Sequence, residues 1–393
     1  VGSVIAALRR QAVRWLHFPG PLARPVVEER ALLAAQQAAV AATPPDDLER
    51  AWLQYRCHRF LRGPWRSLIL DVAAMAMLPG VLIAGLLRAA PKQPRRGGAH
   101  VLMPPVQPEW LPEEWRGDAV LAARGFALTM TDIRRLIGVW RRHPVSPWFL
   151  LRLTMATGRA RAALAPGAMS LVSSCEYGFY GSWLTAWCEA EGIRHVNVMH
   201  GEKLWFIREA WVRFHVHVVW DERYIEIFRD LHAGSDRWVI AWPESLRCPA
   251  IPRSTAGKHI LLVCLQEFRE AEAAAGRRLA AHLQTLAGYW KVIVRPHPRY
   301  TDPAVVADIF GAFAQQDPAH MPFCEALADS TAVCAAYSTV LAQAAAAGRT
   351  PVIDDLSDPD LVARLRERRF VMLNRPHQLL SSLGEPESLH APG

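Results

Sequence analysis

Residues 194–201 read RHVNVMHG and residues 290–299 read WKVIVRPHPR. In each, a valine-rich run gives way at once to a polar break that carries a histidine: His200-Gly201 in the first, Pro296-His297-Pro298-Arg299 in the second. Short β-branched runs of this kind mark strands buried on both faces, as in a parallel sheet. In an open α/β sheet the ligand lies beyond the carboxyl ends of the strands, where both breaks fall. A third break, Tyr337-Ser338-Thr339, opens an alanine-rich run, Val340 to Ala347, that reads as a helix. Hydroxyls and free amides at such a helix start point the same way and suit an anion.

The same pattern extends in both directions. Strands are expected at His100 to Met103, Ser170 to Ser174, Arg194 to Met199, Val216 to Trp220 and Trp238 to Ala241. Helices are expected at Phe126 to Arg142, Pro147 to Ala165, Gly181 to Glu191 and Tyr224 to Leu231. Pro243 to Lys258 is rich in Pro, Ser and Gly and reads as a linker. Beyond it come strands at His259 to Leu265, Trp290 to Arg295, Ala332 to Ala336 and Pro351 to Ile353. Helices at Glu270 to Leu286, Ala304 to Gln316 and Val340 to Ala347 separate them. Strands alternating with helices predict two parallel α/β sheets, Rossmann-like, with a cleft between the halves for a ligand. The expected organisation is a helical, basic region over 1–97, a first Rossmann-like domain over 98–243 and a second over 258–393.

The bulk composition agrees with a folded protein: 393 residues, 51% hydrophobic and 21% charged, with fifteen tryptophans. The seven cysteines form no CxxC pair or even framework, which predicts a reducing compartment and no cysteine-held metal. His215 and His217 alternate on a strand but have no carboxylate or cysteine at ligand spacing, so their expected role is structural.

The formal net charge is +8, and residues 1–97, with 14 Lys or Arg against 6 Asp or Glu, hold an excess of the same size. A basic front end suggests an anionic partner such as a lipid surface. No nucleic-acid module is visible, so nucleic acid is not expected. The first residues, VGSVIAALRRQAVRWLHF, have the pattern of an amphipathic helix lying in a membrane interface. Leu68 to Ala90 is apolar enough to resemble a membrane span, but Asp71 and Pro79-Gly80 interrupt it. A buried helix pair, or an apolar patch resting on a membrane, fits it better. No cleavable signal peptide is evident, and a cytoplasmic location at the inner face of the inner membrane is expected.

A phosphate needs convergent donors. His297 is framed by prolines at a strand end, Arg295 and Arg299 raise the local positive potential, and Ser338 and Thr339 open a helix. Together they form a candidate cradle for a nucleotide phosphate. The absence of GxxxxGK[ST] and of a strand-linked GxGxxG argues against a P-loop ATPase and a dinucleotide enzyme.

On these residues the chain resembles two-domain bacterial glycosyltransferases of GT-B architecture. Among them are the capsular polysaccharide transferases that use cytidine-activated sugars (sialyl-, polysialyl- and Kdo-transferases) and the CDP-glycerol glycerophosphotransferases. Their HP motif is matched by His297-Pro298, the downstream Ser/Thr motif by Ser338-Thr339, and the His-Gly motif by His200-Gly201, over about residues 168–355. The resemblance implies transfer of a sugar from a nucleotide-activated, CMP-linked donor to a glycan or lipid-linked glycan acceptor in capsule polysaccharide biosynthesis. It also admits transfer of a phosphopolyol from a CDP-linked donor. A non-catalytic nucleotide- or glycan-binding subunit of an assembly complex is the alternative from another class.

The acid-acid-Gly sequence of the sialyltransferases is absent, the nearest being Glu176-Tyr177-Gly178, one acid short. The base that takes the acceptor proton is therefore open between His200, Glu176 and Asp221, all at strand ends. In the glycerophosphotransferase pattern it is His200. His297, Pro298, Ser338 and Thr339 would meet the nucleotide phosphate, while Gln266, Glu267 and Phe268, with Glu325, could touch base or ribose. No cofactor is required beyond the nucleotide-activated donor substrate, and no carboxylate cluster demands a metal.

Overall fold

The computed structural model describes residues 20–88, 100–122, 124–164, 167–248, 259–266, 268, 270–298 and 300–385. The chain divides into two compact units: the described residues up to His200 with Trp205–Pro243, and Gly201–Leu204 with the residues from Glu244 onward.

The first unit holds a six-stranded, wholly parallel sheet. Its strands are β1 (His100–Leu102), β2 (Ala119–Leu121), β3 (Ser170–Ser173), β4 (Arg194–Val198), β5 (Arg213–Val219) and β6 (Gly234–Ile240). Their order is β2-β1-β3-β4-β5-β6. Successive side chains of a strand point to opposite faces, and here both faces are covered. Leu102, Val172, Val196, Val198, Val216 and Val218 pack on one side. Val101 and Leu171 pack on the other, against Ala156, Ala160, Leu184 and Trp187 of two helices. The second unit repeats the plan with β7 (Ile260–Cys264), β8 (Lys291–Arg295), β9 (Ala314–Gln315), β10 (Ala332–Ala335), β11 (Thr350–Ile353) and β12 (Gln378–Leu379). Its order is β12-β11-β10-β7-β8-β9. Leu261, Val263, Val292 and Val294 build one core face, and Leu262 and Val333 the other. The expected α/β class with two Rossmann-like parallel sheets, preceded by helices, is what the structure shows.

Each order contains a place where the chain reverses its direction of growth across the sheet. In the first sheet this lies between β1 and β3, in the second between β7 and β10. The crevice outside the carboxyl ends of such a strand pair is the usual ligand position in this fold.

Several elements depart from expectation. The helix foreseen from Phe126 begins at Met130, because Thr129 caps it in a box with Asp132. The helix foreseen at Ala304 to Gln316 stops at Phe310, and its tail becomes edge strand β9. Cys248 and Cys324 form a disulfide, which does not fit the reducing compartment expected from the cysteine spacing. The stretch around Pro79 is not a helix pair. Pro64–Leu87 is one helix of 24 residues with Pro79 inside it. Asp71 does not interrupt it, since this carboxylate turns inward to accept the Trp148 N–H at 3.1 Å and the Tyr55 hydroxyl at 3.4 Å. The outer face is apolar and open: Trp65, Leu68, Ile69, Val72, Met75, Ile83 and Leu87 are all exposed. The helix is long and apolar enough to cross a membrane, and only 22% of its most apolar window is buried. The amphipathic stretch expected over 1–18 lies outside the described residues.

On its inner side this helix closes on its neighbours through glycines. Leu128 N donates to Gly85 O at 2.9 Å, and Ala127 N donates to Gly158 O, in helix Pro147–Ala163, at 3.0 Å. A Cβ at Gly85 would lie 2.6 Å from Leu128, and one at Gly158 would overlap the Phe126 ring. The segment 126–128 is thus a strap laced between two helix backbones, and only glycine permits that approach.

Two histidines in the first unit are buried beyond reach of water. The His195 ring sits between Ser173 Oγ at 2.8 Å and Thr185 Oγ1 at 2.9 Å. Burial, with His215 and His217 nearby, pushes it down to about 3. His58 is held well below its usual range by burial and by Arg208. Both are neutral when folded, whereas the unfolded chain protonates them near pH 6.5. Their contribution is therefore complete above pH 6.5 and is lost as pH falls below it, for His195 down to about 3, by up to about 1.4 kcal/mol per pH unit. Urea midpoints between pH 7.5 and 5.5 should fall accordingly, and less steeply for His195→Asn. Parallel profiles for the two proteins would acquit His195.

Candidate functional site

The site grows from the exits of two adjacent strands. β3 runs into Ser174-Cys175-Glu176, and β4 into Met199-His200-Gly201. Gly201 has φ +68°, a left-handed conformation that turns the chain sharply just beyond the histidine. Between the exits stands Asn197, fully buried in central strand β4. Its Oδ1 accepts the Cys175 N–H at 2.8 Å, and its Nδ2 lies 3.1 Å from both Glu176 Oε2 and His217 Nε2. A buried amide in a valine strand is costly unless partnered, and here the partners are the loop it positions.

Glu176 is fully buried, and its Oε1 lies 3.1 Å from His200 Nδ1. Ser174 Oγ is 2.6 Å from the same nitrogen. Trp110 stacks parallel to the imidazole at 6.1 Å, and Tyr177 meets it edge-on at 5.0 Å. His200 itself is one-third exposed. Its Nδ1 is thus fixed by carboxylate and hydroxyl, and Nε2 makes no hydrogen bond among the described residues. A carboxylate behind an imidazole whose far nitrogen is accessible is the arrangement of a general base held in one tautomer. Glu176, fully buried, faces the imidazole from behind and could orient it. Asp221 is engaged elsewhere: its Oδ1 caps the helix Glu222–Asp230 by accepting the Arg223 N–H at 2.8 Å.

Beside this pair, at the β1/β3 reversal of the first sheet, opens a pocket of about 490 Å³. Met103 and Pro105 line it from beyond β1, Ser174 and Cys175 from beyond β3, and Arg124, Arg152 and Arg159 from the flank.

In the second unit, Gln266, His297 and Ser338 follow β7, β8 and β10, three strands that lie side by side. Neighbouring strands are about 4.8 Å apart, so the three exits span roughly 10 Å along one edge of the sheet. The His297 amide donates to Thr301 Oγ1 at 2.7 Å, and its ring stacks on Tyr300 at 4.6 Å. Ser338 is the N-cap of helix Thr339–Ala346, its Oγ accepting Val340 N–H at 3.4 Å. Thr339 Oγ1 accepts the Glu202 N–H at 3.2 Å. Pro298 is exposed, and Glu325 is an exposed residue in the first turn of Phe323–Asp329. Arg295 is a correction. Its guanidinium is buried and committed to Gln316 Oε1 at 2.7 Å and Met321 O at 2.8 Å, so it braces the edge of the sheet instead of facing a phosphate. Arg299 and Glu267 lie outside the described residues.

Sequence reasoning missed Asn197, Ser174, Trp110 and the arginines of the pocket. Only Asn197 left a signal, as an amide inside a strand with no water to satisfy it.

No protein-family profile matches the sequence, and no curated protein matches it. Solved structures with some likeness include the UDP-GlcNAc 2-epimerase from Neisseria meningitidis bound to UDP-GlcNAc, at 11% identity over 67% of this chain and 85% of that one, TM-score 0.43. A variant of the wall teichoic acid polymerase TagF matches at 12% identity over 83% and 87%, TM-score 0.44. The calicheamicin glycosyltransferase CalG4 matches at 15% identity over 74% and 88%, TM-score 0.41. Likenesses this distant carry no weight for function, and the architecture rests on the strand orders above.

Replacing Asn197 by Ala removes the hydrogen bonds to the Cys175 N–H and to the Glu176 carboxylate. Unfolding in urea should show a loss of about 1–3 kcal/mol. An unchanged midpoint would mean that the strand exits hold their loop without the amide.

Proposed function

We propose that the protein is a glycosyltransferase that moves a sugar from a nucleotide-activated, CMP-linked donor to a hydroxyl of a bacterial surface-polysaccharide acceptor. The observation that carries the reading is the His200–Glu176–Asn197 arrangement, with His200 Nε2 accessible. An alcohol is a weak nucleophile at neutral pH, so a positioned imidazole takes its proton as the new bond forms. The carboxylate of Glu176 then stabilises the imidazolium. In the second unit, His297, the hydroxyls of Ser338 and Thr339 and the first amides of helix Thr339–Ala346 would receive the charge that grows on the departing nucleotide.

One observation favours a second reading. Burial of Glu176 leaves the proton to His200, which is the assignment of the glycerophosphotransferase pattern. Transfer of a phosphopolyol from a CDP-linked donor, forming a phosphodiester, is therefore the rival. Product analysis separates them, since CMP leaves in both.

His200→Ala should lower turnover by roughly a hundredfold or more, with Glu176→Gln showing part of that loss, while donor affinity stays within a few fold. His297→Ala should instead weaken CMP binding by about 1–3 kcal/mol. Near-normal turnover in folded His200→Ala would remove the base. Tight CMP binding without any transfer would leave a binding subunit of an assembly complex.

The acceptor of such an enzyme sits at a membrane, and the open apolar face of Pro64–Leu87 would rest on an anionic bilayer. Its support is that face together with the positive excess of residues 1–97. Val72→Asp combined with Met75→Asp, both exposed, should abolish flotation with phosphatidylglycerol vesicles while leaving the melting temperature nearly unchanged. Equal flotation of variant and parent would assign the face to another contact.

A further inference from the structure

The pocket beside His200 is one of two cavities that share walls. A smaller one, of about 220 Å³, is lined by Arg62, Arg208 and His58. It has Arg152, Tyr177 and Tyr180 in common with the larger. Five arginines therefore border the pair of cavities, and no Asp or Glu is among the described lining residues of either.

This grouping is built into the fold. Arg152 and Arg159 stand seven residues apart on helix Pro147–Ala163, hence on one face. Aromatic rings hold two of the cations in place: Arg152 lies 5.4 Å from the Tyr180 ring, and Arg208 lies 4.9 Å from that of Tyr177. Arg62 is only 7% exposed at the end of helix Asp47–Arg62. Burial pushes its guanidinium down to about 10, and Arg152 and Arg208 push in the same direction against Tyr55 and Asp71. His58, neutral, can only donate its Nε2 proton to Arg208 O, at 3.0 Å. The carboxylates of Glu209 and Glu176 oppose the effect of burial on Arg208 without reversing it. Arg124, Arg152 and Arg159 bring three positive charges to the wall of the larger cavity, where they raise the potential that an anion meets. Their forked donors match the planar oxygens of phosphate and carboxylate.

We propose that this double cavity binds an oxyanion carried by the acceptor, a phosphate or a carboxylate, and so presents the neighbouring acceptor hydroxyl to His200. The larger cavity has room for the sugar or polyol that bears the charge. Ser174 and Tyr177 line it and also touch the His200 ring. The orientation of the hydroxyl rests on the reading of His200 as base; the oxyanion site does not.

The test uses the full chain and four probes: inorganic phosphate, glucose 6-phosphate, glucuronate and uncharged glucose. Calorimetric titration should give saturable binding of at least one charged probe and none of glucose. Whichever of glucose 6-phosphate and glucuronate binds tighter identifies the oxyanion. Arg152→Gln and Arg159→Gln should each weaken that probe at least tenfold, and Arg159→Lys less, with CMP affinity unchanged in all three. Arg159 is exposed, so its variants keep the test alive if Arg152→Gln fails to fold. Unchanged probe affinity in folded Arg159→Gln and Arg152→Gln overturns the proposal. So does loss of probe binding in His297→Ala alone, which would put the oxyanion in the second unit. If CMP does not bind but glucose 6-phosphate binds and depends on Arg159, the nucleotide reading falls and the oxyanion site stands.

Discussion

The amide of Asn197 is the contact on which the geometry at the exits of β3 and β4 depends. A parallel sheet buried on both faces has no water at its centre, so a polar side chain there must be satisfied by protein. Asn197 meets this condition with the Cys175 N–H and the Glu176 carboxylate, groups from the exit of the adjacent strand. One residue thereby fixes a loop that would otherwise be free to choose its path. The carboxylate so placed holds His200 Nδ1, and the tautomer follows. Stability and chemistry share one hydrogen-bond network, which extends through His217 into β5.

The two sheets solve the same problem in the same way and then diverge in polarity. Both reverse strand order, and both gather polar residues at the carboxyl edge of the strands that flank the reversal. In the first unit the flank is cationic and cavernous, lined by arginines that stack on tyrosines. In the second it is made of small hydroxyls, an imidazole and a helix start, donors suited to close approach by one charged group. The two units thus present different sets of donors at the same place in the same fold.

Much of this was legible in the sequence, for identifiable reasons. Central strands such as Arg194–Val198 and Lys291–Arg295 are buried on both faces, so they are rich in valine: Val196 and Val198 flank Asn197 in the first, and Val292, Ile293 and Val294 run unbroken in the second. Edge strands Ala119–Leu121, Ala314–Gln315 and Gln378–Leu379 have two or three residues and partial exposure, too little for any pattern to show. His200 and Glu176 were visible as polar residues at strand exits. That position does not reveal which way a side chain turns, and Arg295, at an equivalent exit, turns into the protein. The arginines of the double cavity come from four helix or loop segments far apart in sequence, and nothing local joins them. Pro79 reads as a breaker, yet the helix continues through it, because losing one hydrogen bond within a long helix is tolerated where neighbouring turns stay packed.

The strap at residues 126–128 has a mechanical consequence. It is bonded at one end to the carbonyl of Gly85, in the helix with the open apolar face, and at the other to that of Gly158, one residue before Arg159. Tight glycine contacts leave no slack between these backbones. The apolar helix and the helix that bears Arg152 and Arg159 are therefore joined through a short, tightly packed segment. A shift of either helix would have to carry the strap, and with it the other helix.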